Sequence, residues 1–214
     1  MGIRTGIIGN IRQRAGDVRF SNWKGRNVVA QMPVSYNDAN TLQQRANRRK
    51  LGFLAGLAAL FRIAIIQGFQ QVSTSITTYN NFVKKNYASV TDNGTISSVN
   101  PALLEIADGT VLGVAGLVVT TGAAAGELDI DIAANANGTT GYDTDIAKVF
   151  VYHPATKAFI DKSGSLTRGT LAAGAVLTGL NALTGQSVHV YVFFKDMTLA
   201  RFSPSSATGP IVVG

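Results

Sequence analysis

Cysteine is absent from the 214-residue chain, which excludes disulfide staples, zinc thiolates and thiol nucleophiles. Charge is also scarce: Asp, Glu, Lys and Arg make up 14%, against about 25% in an ordinary soluble domain. The surface must therefore be largely polar and uncharged, built from Gly, Ala, Thr, Ser and Asn, as is common on extracellular and particle-forming proteins. Histidine occurs only at His153 and His189. His153 precedes Pro154 in a turn and His189 falls in mid-strand, and neither has Ser and Asp in a nucleophile arrangement. "GIIGNIRQRAG" holds Gly6, Gly9 and Gly16 but follows no strand and opens no clear helix, so it fails as a phosphate loop. The reading is therefore a non-enzymatic protein with no cofactor.

A secretion signal and a long apolar run are missing as well. "MGIRTGIIGNIRQR" lacks the apolar stretch of about 7 to 15 residues and the small-residue cleavage site of a signal peptide, so synthesis in the cytoplasm is expected. The nearest approach to a membrane span is Leu51 to Phe69. Arg62 near its middle would cost about 2.5 to 3 kcal/mol at the bilayer centre, and Gly52, Gly56 and Gln67 weaken it further. Burial between the chain's own sandwich and a neighbouring subunit fits this segment better than a membrane does.

What charge there is lies unevenly. The net is +7. Residues 1–50 carry ten Lys and Arg against Asp17 and Asp38, giving +8; residues 51–100 carry three bases against Asp92, giving +2; residues 101–214 carry six bases against nine acids, giving −3. A basic head on a mildly acidic body implies an acidic partner, either nucleic acid or another protein face.

The hydrophobic pattern divides the chain into three parts. Residues 1–40 read as an extended basic arm with one hairpin: "VRFSN" alternates, Lys24-Gly25-Arg26 supply a turn, and "NVVAQM" leads out to Pro33. A two-stranded ribbon is marginal in water, so the arm must lie on something. Within it Phe20 and the single Trp, Trp23, are its large apolar anchors, and Trp is a frequent interface residue. Residues 41–95 form a helical segment. Asn40 or Thr41 can cap a helix of some 25 residues in which Leu54, Leu57, Ala58, Phe61, Ile65 and Phe69 recur at steps of three and four. Leu54, Phe61, Ile65 and Phe69 join the arm as the expected subunit or anchor interface. A second helix is expected to be firm only near Tyr79 to Tyr87. Residues 96–214 alternate short strand patterns with turn clusters, about seven strands including "TVLGVAGLVVTTG", "GELDIDIAA", "RGTLAAGAVLTGL" and "SVHVYVFFKD", the spacing of an antiparallel immunoglobulin or fibronectin III-like β-sandwich. The fold class is thus α+β, with arm, helices and sandwich in that order.

Two constellations compete with a purely structural reading. Glu127, Asp129 and Asp131 alternate along one strand, with Asp143 and Asp145 beyond a loop, and hard cations take several carboxylate oxygens. Yet the same alternation turns Leu128, Ile130 and Ile132 toward a core and the acids toward water without any ion, so no metal is expected. Arg12, Arg14, Arg19, Lys24 and Arg26, with the cluster Arg45, Arg48, Arg49 and Lys50, could meet phosphates while Phe20 and Trp23 stack on bases. No sequence-reading motif accompanies them, and a subunit-facing charge set with Trp23 in an apolar groove accounts for the same residues.

The segments "GIIGNI", "WKGRNVVAQMP", "QQRANRRKLGFLAGLAALFRIAIIQGF", "YNNFVKKN", "TDIAKVFVYHPATKAF" and "GQSVHVYVFFKD" together resemble a family of uncharacterised two-part proteins from Bacteroidota and their phages. The resemblance covers most of the chain. It departs where family members carry a Pro- and Thr-rich link before the helix and this chain has "VSYNDANTLQQ". It implies an N-terminal arm and helix followed by an immunoglobulin-like sandwich, no established activity, and a place in a virus particle. The expected function is that of a structural component of a phage-like capsid, tail or fibre, partnered by itself and by other particle proteins. Nucleic-acid packaging by the basic head is the alternative. An adhesive or carbohydrate-binding sandwich, with Tyr142 and Tyr152 as its aromatic material, is the third reading.

Overall fold

The computed structural model describes residues 14–23, 26–31, 39–70 and 76–214, in two compact units, Met1–Thr41 and Leu42–Gly214. The first holds a three-stranded antiparallel sheet of β1 (Arg14–Ala15), β2 (Val18–Trp23) and β3 (Arg26–Gln31), in that order. Ala15 pairs with Val18, and the tight turn between them uses Gly16 at φ 57°, a conformation that glycine enters without a Cβ penalty. Lys24 and Gly25, expected to form the other turn, lie outside the described residues.

The second unit opens with α1 (Leu42–Leu60) and α2 (Arg62–Gly68). The spacing predicted one helix; the chain instead bends by 89° between them. No proline causes the bend. Phe61 leaves helical geometry (φ −88°, ψ 13°) and seats its ring 5.0 Å from Tyr152, 4.6 Å from Phe159 and 5.8 Å from Tyr191. Aromatic packing at such distances outweighs the small cost of one non-helical residue. α3 (Thr78–Asn86) starts where the Thr77 hydroxyl accepts the Asn80 N–H at 3.2 Å, close to the firm helix expected there.

After a small ribbon of β4 (Thr91–Asp92) and β5 (Ser97–Ser98) come β6 (Val118–Thr121), β7 (Leu128–Asp131), β8 (Ile146–His153), β9 (Ala158–Asp161), α4 (Arg168–Ala172), β10 (Ala175–Leu177), β11 (Ser187–Lys195), β12 (Ser206–Ala207) and β13 (Ile211–Val212). Two antiparallel sheets result. One has order β10-β7-β6; the other has order β12-β11-β8-β9, with β13 also on β11. "RGTLAAGAVLTGL", expected as a strand, is α4 followed by β10. Its helix is started by a capping box in which Thr167 and Thr170 bond each other's backbone N–H groups.

β8 and β11 lie side by side over seven residue pairs, and their alternation makes two cores. Phe150, Tyr152, Tyr191 and Phe193 face Leu54, Phe61, Ile65, Phe69 and Phe82 of the helical region. Val149, Val151, Val190, Val192 and Phe194 face Leu128, Ile130 and Leu177 of the smaller sheet. The protein is therefore mixed α+β, and its second unit has three layers: helices, a five-stranded sheet covered on both faces, and a three-stranded sheet. Residues 41–95 and 96–214, expected as separate parts, share the first core.

Candidate assembly surfaces

Within the hairpin unit the register sets two faces. Arg14 pairs with Arg19, Arg19 with Ala30, Ser21 with Val28 and Trp23 with Arg26, so these positions fall on one face; Phe20 and Val29 fall on the other. Arg19 and residues 27–31 are exposed, including Val28 and Val29, while Phe20 is half-buried. Arg12 lies outside the described residues. Antiparallel partners share a face of the sheet, which is why positions 14, 19 and 26 fall on one side.

The second basic cluster is not a free patch. Arg45 and Arg48 are exposed on α1, but the Arg49 guanidinium donates through Nε and Nη2 to both Asp92 carboxylate oxygens at 2.8 Å, and the Lys50 ammonium sits 5.4 Å from the centre of the Tyr87 ring. Asp92 also accepts from Ser97 Oγ and the Gly94 N–H, each below 3.0 Å. Those bonds, from Arg49 first, hold its carboxyl far below the usual carboxylate range, and the same pairing raises Arg49. Two of the four cations thus fasten α1 to the β4–β5 ribbon and α3.

The helix residues expected at a subunit interface lie elsewhere. Leu54, Phe61, Ile65 and Phe69 are buried in the chain's own first core, because the bend at Phe61 wraps that stripe onto β8 and β11. What α1 and α2 present outward is Leu51, Ile63 and Ile66, beside Ile76 and Tyr79. Gly52 and Gly56 open onto a cleft of about 530 Å³ that also meets Leu57, Pro101, Tyr152 and Lys157. Among the described residues no single helix is long and apolar enough to cross a membrane.

The acidic set is split rather than gathered. Asp129 and Asp131 point outward from β7 while Leu128, Ile130 and Ile132 are buried, and Asp143 is exposed. Asp145 turns inward to the buried Arg168, whose Nε and Nη2 bond its Oδ2 at 3.3 and 3.1 Å. The other donors of Arg168 go to Asn135 Oδ1 at 2.8 Å and to the carbonyls of Leu112 and Gly113, and its guanidinium lies 3.9 Å from the centre of the Phe194 ring. Burial depresses the Arg168 pKa, and the Asp145 pairing opposes that. This arginine, which no sequence motif marked, ties the long loops around Leu112 and Asn135 to the second core; the Thr167/Thr170 capping signal just before it was the one trace in the sequence. Among the described residues no three His, Cys, Asp or Glu side chains come together as a metal group. His153 Nδ1 bonds Thr156 Oγ1 at 2.7 Å and His189 Nδ1 bonds the Thr208 carbonyl at 3.1 Å, and both are buried.

No family model, curated protein or solved structure matches the chain.

Proposed function

We propose that the protein is a non-enzymatic structural component of a phage-like particle that assembles with copies of itself. One observation carries the reading: the chain divides into a basic strand unit, Met1–Thr41, and a second unit, Leu42–Gly214, that has its own closed cores. Three short strands with Val28 and Val29 exposed bury too little apolar surface to be stable alone, so their natural condition is contact with something else. A basic terminal unit of that kind serves linkage between subunits better than chemistry. We read the two antiparallel sheets facing each other across the second core as an immunoglobulin-like sandwich, one of whose sheets is covered on its other side by helices. The resemblance to phage-associated proteins supports the virion as its location.

The nucleic-acid reading has one observation in its favour, the three arginine positions on one hairpin face. It loses half of the second cluster, since Arg49 and Lys50 are engaged within the body. The adhesive reading keeps Tyr142, which is exposed, and loses Tyr152, which is buried. The test is the purified full-length chain. Light scattering over a concentration series, with electron micrographs at the upper end, is expected to show defined oligomers, rings or filaments. A monomer at every concentration that binds duplex DNA, with a slope of log affinity on log salt of about −0.9 per phosphate contact, would replace assembly with packaging.

A further inference from the structure

We infer that the outward face of the β10-β7-β6 sheet is the surface on which the basic hairpin of a second copy of this chain docks. The inference rests on the proposed assembly function and locates its contact. Register places Val118 opposite Asp131, and Thr120 and Val176 on either side of Asp129. These five side chains all face out, and Val118 and Val176 are 55% and 52% exposed. A solvent face of an antiparallel sheet ordinarily alternates polar residues outward, so two flanking valines around two acids form an unusual platform. A shallow depression of about 280 Å³ lies among them. Neither Asp129 nor Asp131 has an ion pair or side-chain hydrogen bond among the described residues. Lys162 donates to the carbonyls of Thr178 and Gly179 at 2.9 and 3.0 Å.

The occupant is argued from complementarity. Residues 1–41 hold six Lys and Arg against Asp17 and Asp38, 6 − 2 = +4, and the hairpin face bearing positions 14, 19 and 26 also carries Val28, which is 41% exposed. Directly paired positions such as 14 and 19 stand about 5 Å apart, and acids two residues apart on a strand about 7 Å apart. Sheets packed face to face lie about 10 Å apart, a gap that an arginine spans to a carboxylate while valines of both sheets meet between. Both surfaces thus carry apolar residues among charges of opposite sign, and the acidic one has no ion pair among the described residues.

The absence of native cysteine permits a direct test. Ser21→Cys, on the basic hairpin face, and Thr120→Cys, on the outward sheet face, are placed on separate full-length chains with tags of different length. Mixing under mild oxidation is expected to yield the disulfide between the two tags. Only same-variant pairs, or a doubly substituted chain that closes on itself as a monomer, would overturn docking between copies. In parallel, Asp129→Lys with Asp131→Lys is expected to raise the midpoint concentration of assembly at least about tenfold, and a partner carrying Arg14→Asp and Arg19→Asp to restore most of it. If the sheet variant assembles like the unaltered chain while the hairpin variant does not, the docking face is elsewhere and the assembly function stands. If the unaltered chain never associates, both fall. A hairpin variant that loses DNA binding with assembly unchanged assigns the hairpin to nucleic acid and overturns the inference.

Discussion

Two arginines show how one residue type does different work according to its surroundings. Arg168 is wholly buried and saturated with acceptors, and Arg49 is half-exposed and forms a two-point clasp on Asp92. The Arg49–Asp92 clasp contributes in a way that follows pH. The folded-state pKa of Asp92 lies below its unfolded value of about 3.9, so the unfolded chain binds the proton first as acidity rises. The stabilisation is complete above about pH 5 and is lost as pH falls through 4 and below. Thermal midpoints measured from pH 6 to 3 should fall more steeply for the native chain than for Arg49→Met. Asp196, also depressed, chiefly by the Leu199 and Thr198 N–H groups, is present in both proteins and cancels in the comparison. Coincident slopes would show that the clasp contributes nothing in solution.

Among the elements, α2 is the most constrained. Its last residue, Gly68, accepts the Asp108 N–H at 2.9 Å, and a Cβ placed there would come within 2.5 Å of Ala107 Cβ and 2.6 Å of the Ile106 carbonyl oxygen. The requirement is for close approach, not for an unusual backbone angle. Gly68→Ala should destabilise the protein by about 1 to 3 kcal/mol, the usual cost of overpacking, despite the better helix propensity of alanine. Gly52→Ala is the control, since nothing lies within 4 Å of a Cβ there and helix propensity alone should make it neutral or stabilising. Equal urea midpoints for the two variants would refute the packing argument.

For the whole molecule, the shared first core makes the helices part of the sheet's support. Removing them would uncover Phe150, Tyr152, Tyr191 and Phe193 together, an apolar patch larger than a soluble monomer usually tolerates. A fragment of residues 93–214 is therefore expected to bind hydrophobic dye and to lack a sharp thermal transition, even with strand signal in circular dichroism. A cooperatively folding, dye-free fragment would mean that the second core suffices by itself.

Local pattern accounts for the separate pieces. Period-two alternation specified β7 and β11 and told their faces apart, because a strand's side chains can only alternate. Steps of three and four specified the buried stripe that runs through α1 and α2. Charge counting alone placed most of the excess Lys and Arg in residues 1–50. Where those pieces turn depends on contacts between distant parts of the chain. The bend at Phe61 has no local signal, since it is fixed by rings from β8, β9 and β11 that are about 90 to 130 residues away in sequence. The same bend took Leu54, Phe61, Ile65 and Phe69 from an expected interface into the core. Asp145 and Arg168 came together, and Arg49 and Lys50 were drawn off the basic cluster, by contacts across 23, 43 and 37 residues of chain. Such pairings depend on which surfaces meet when the layers close, and no window of sequence contains that information.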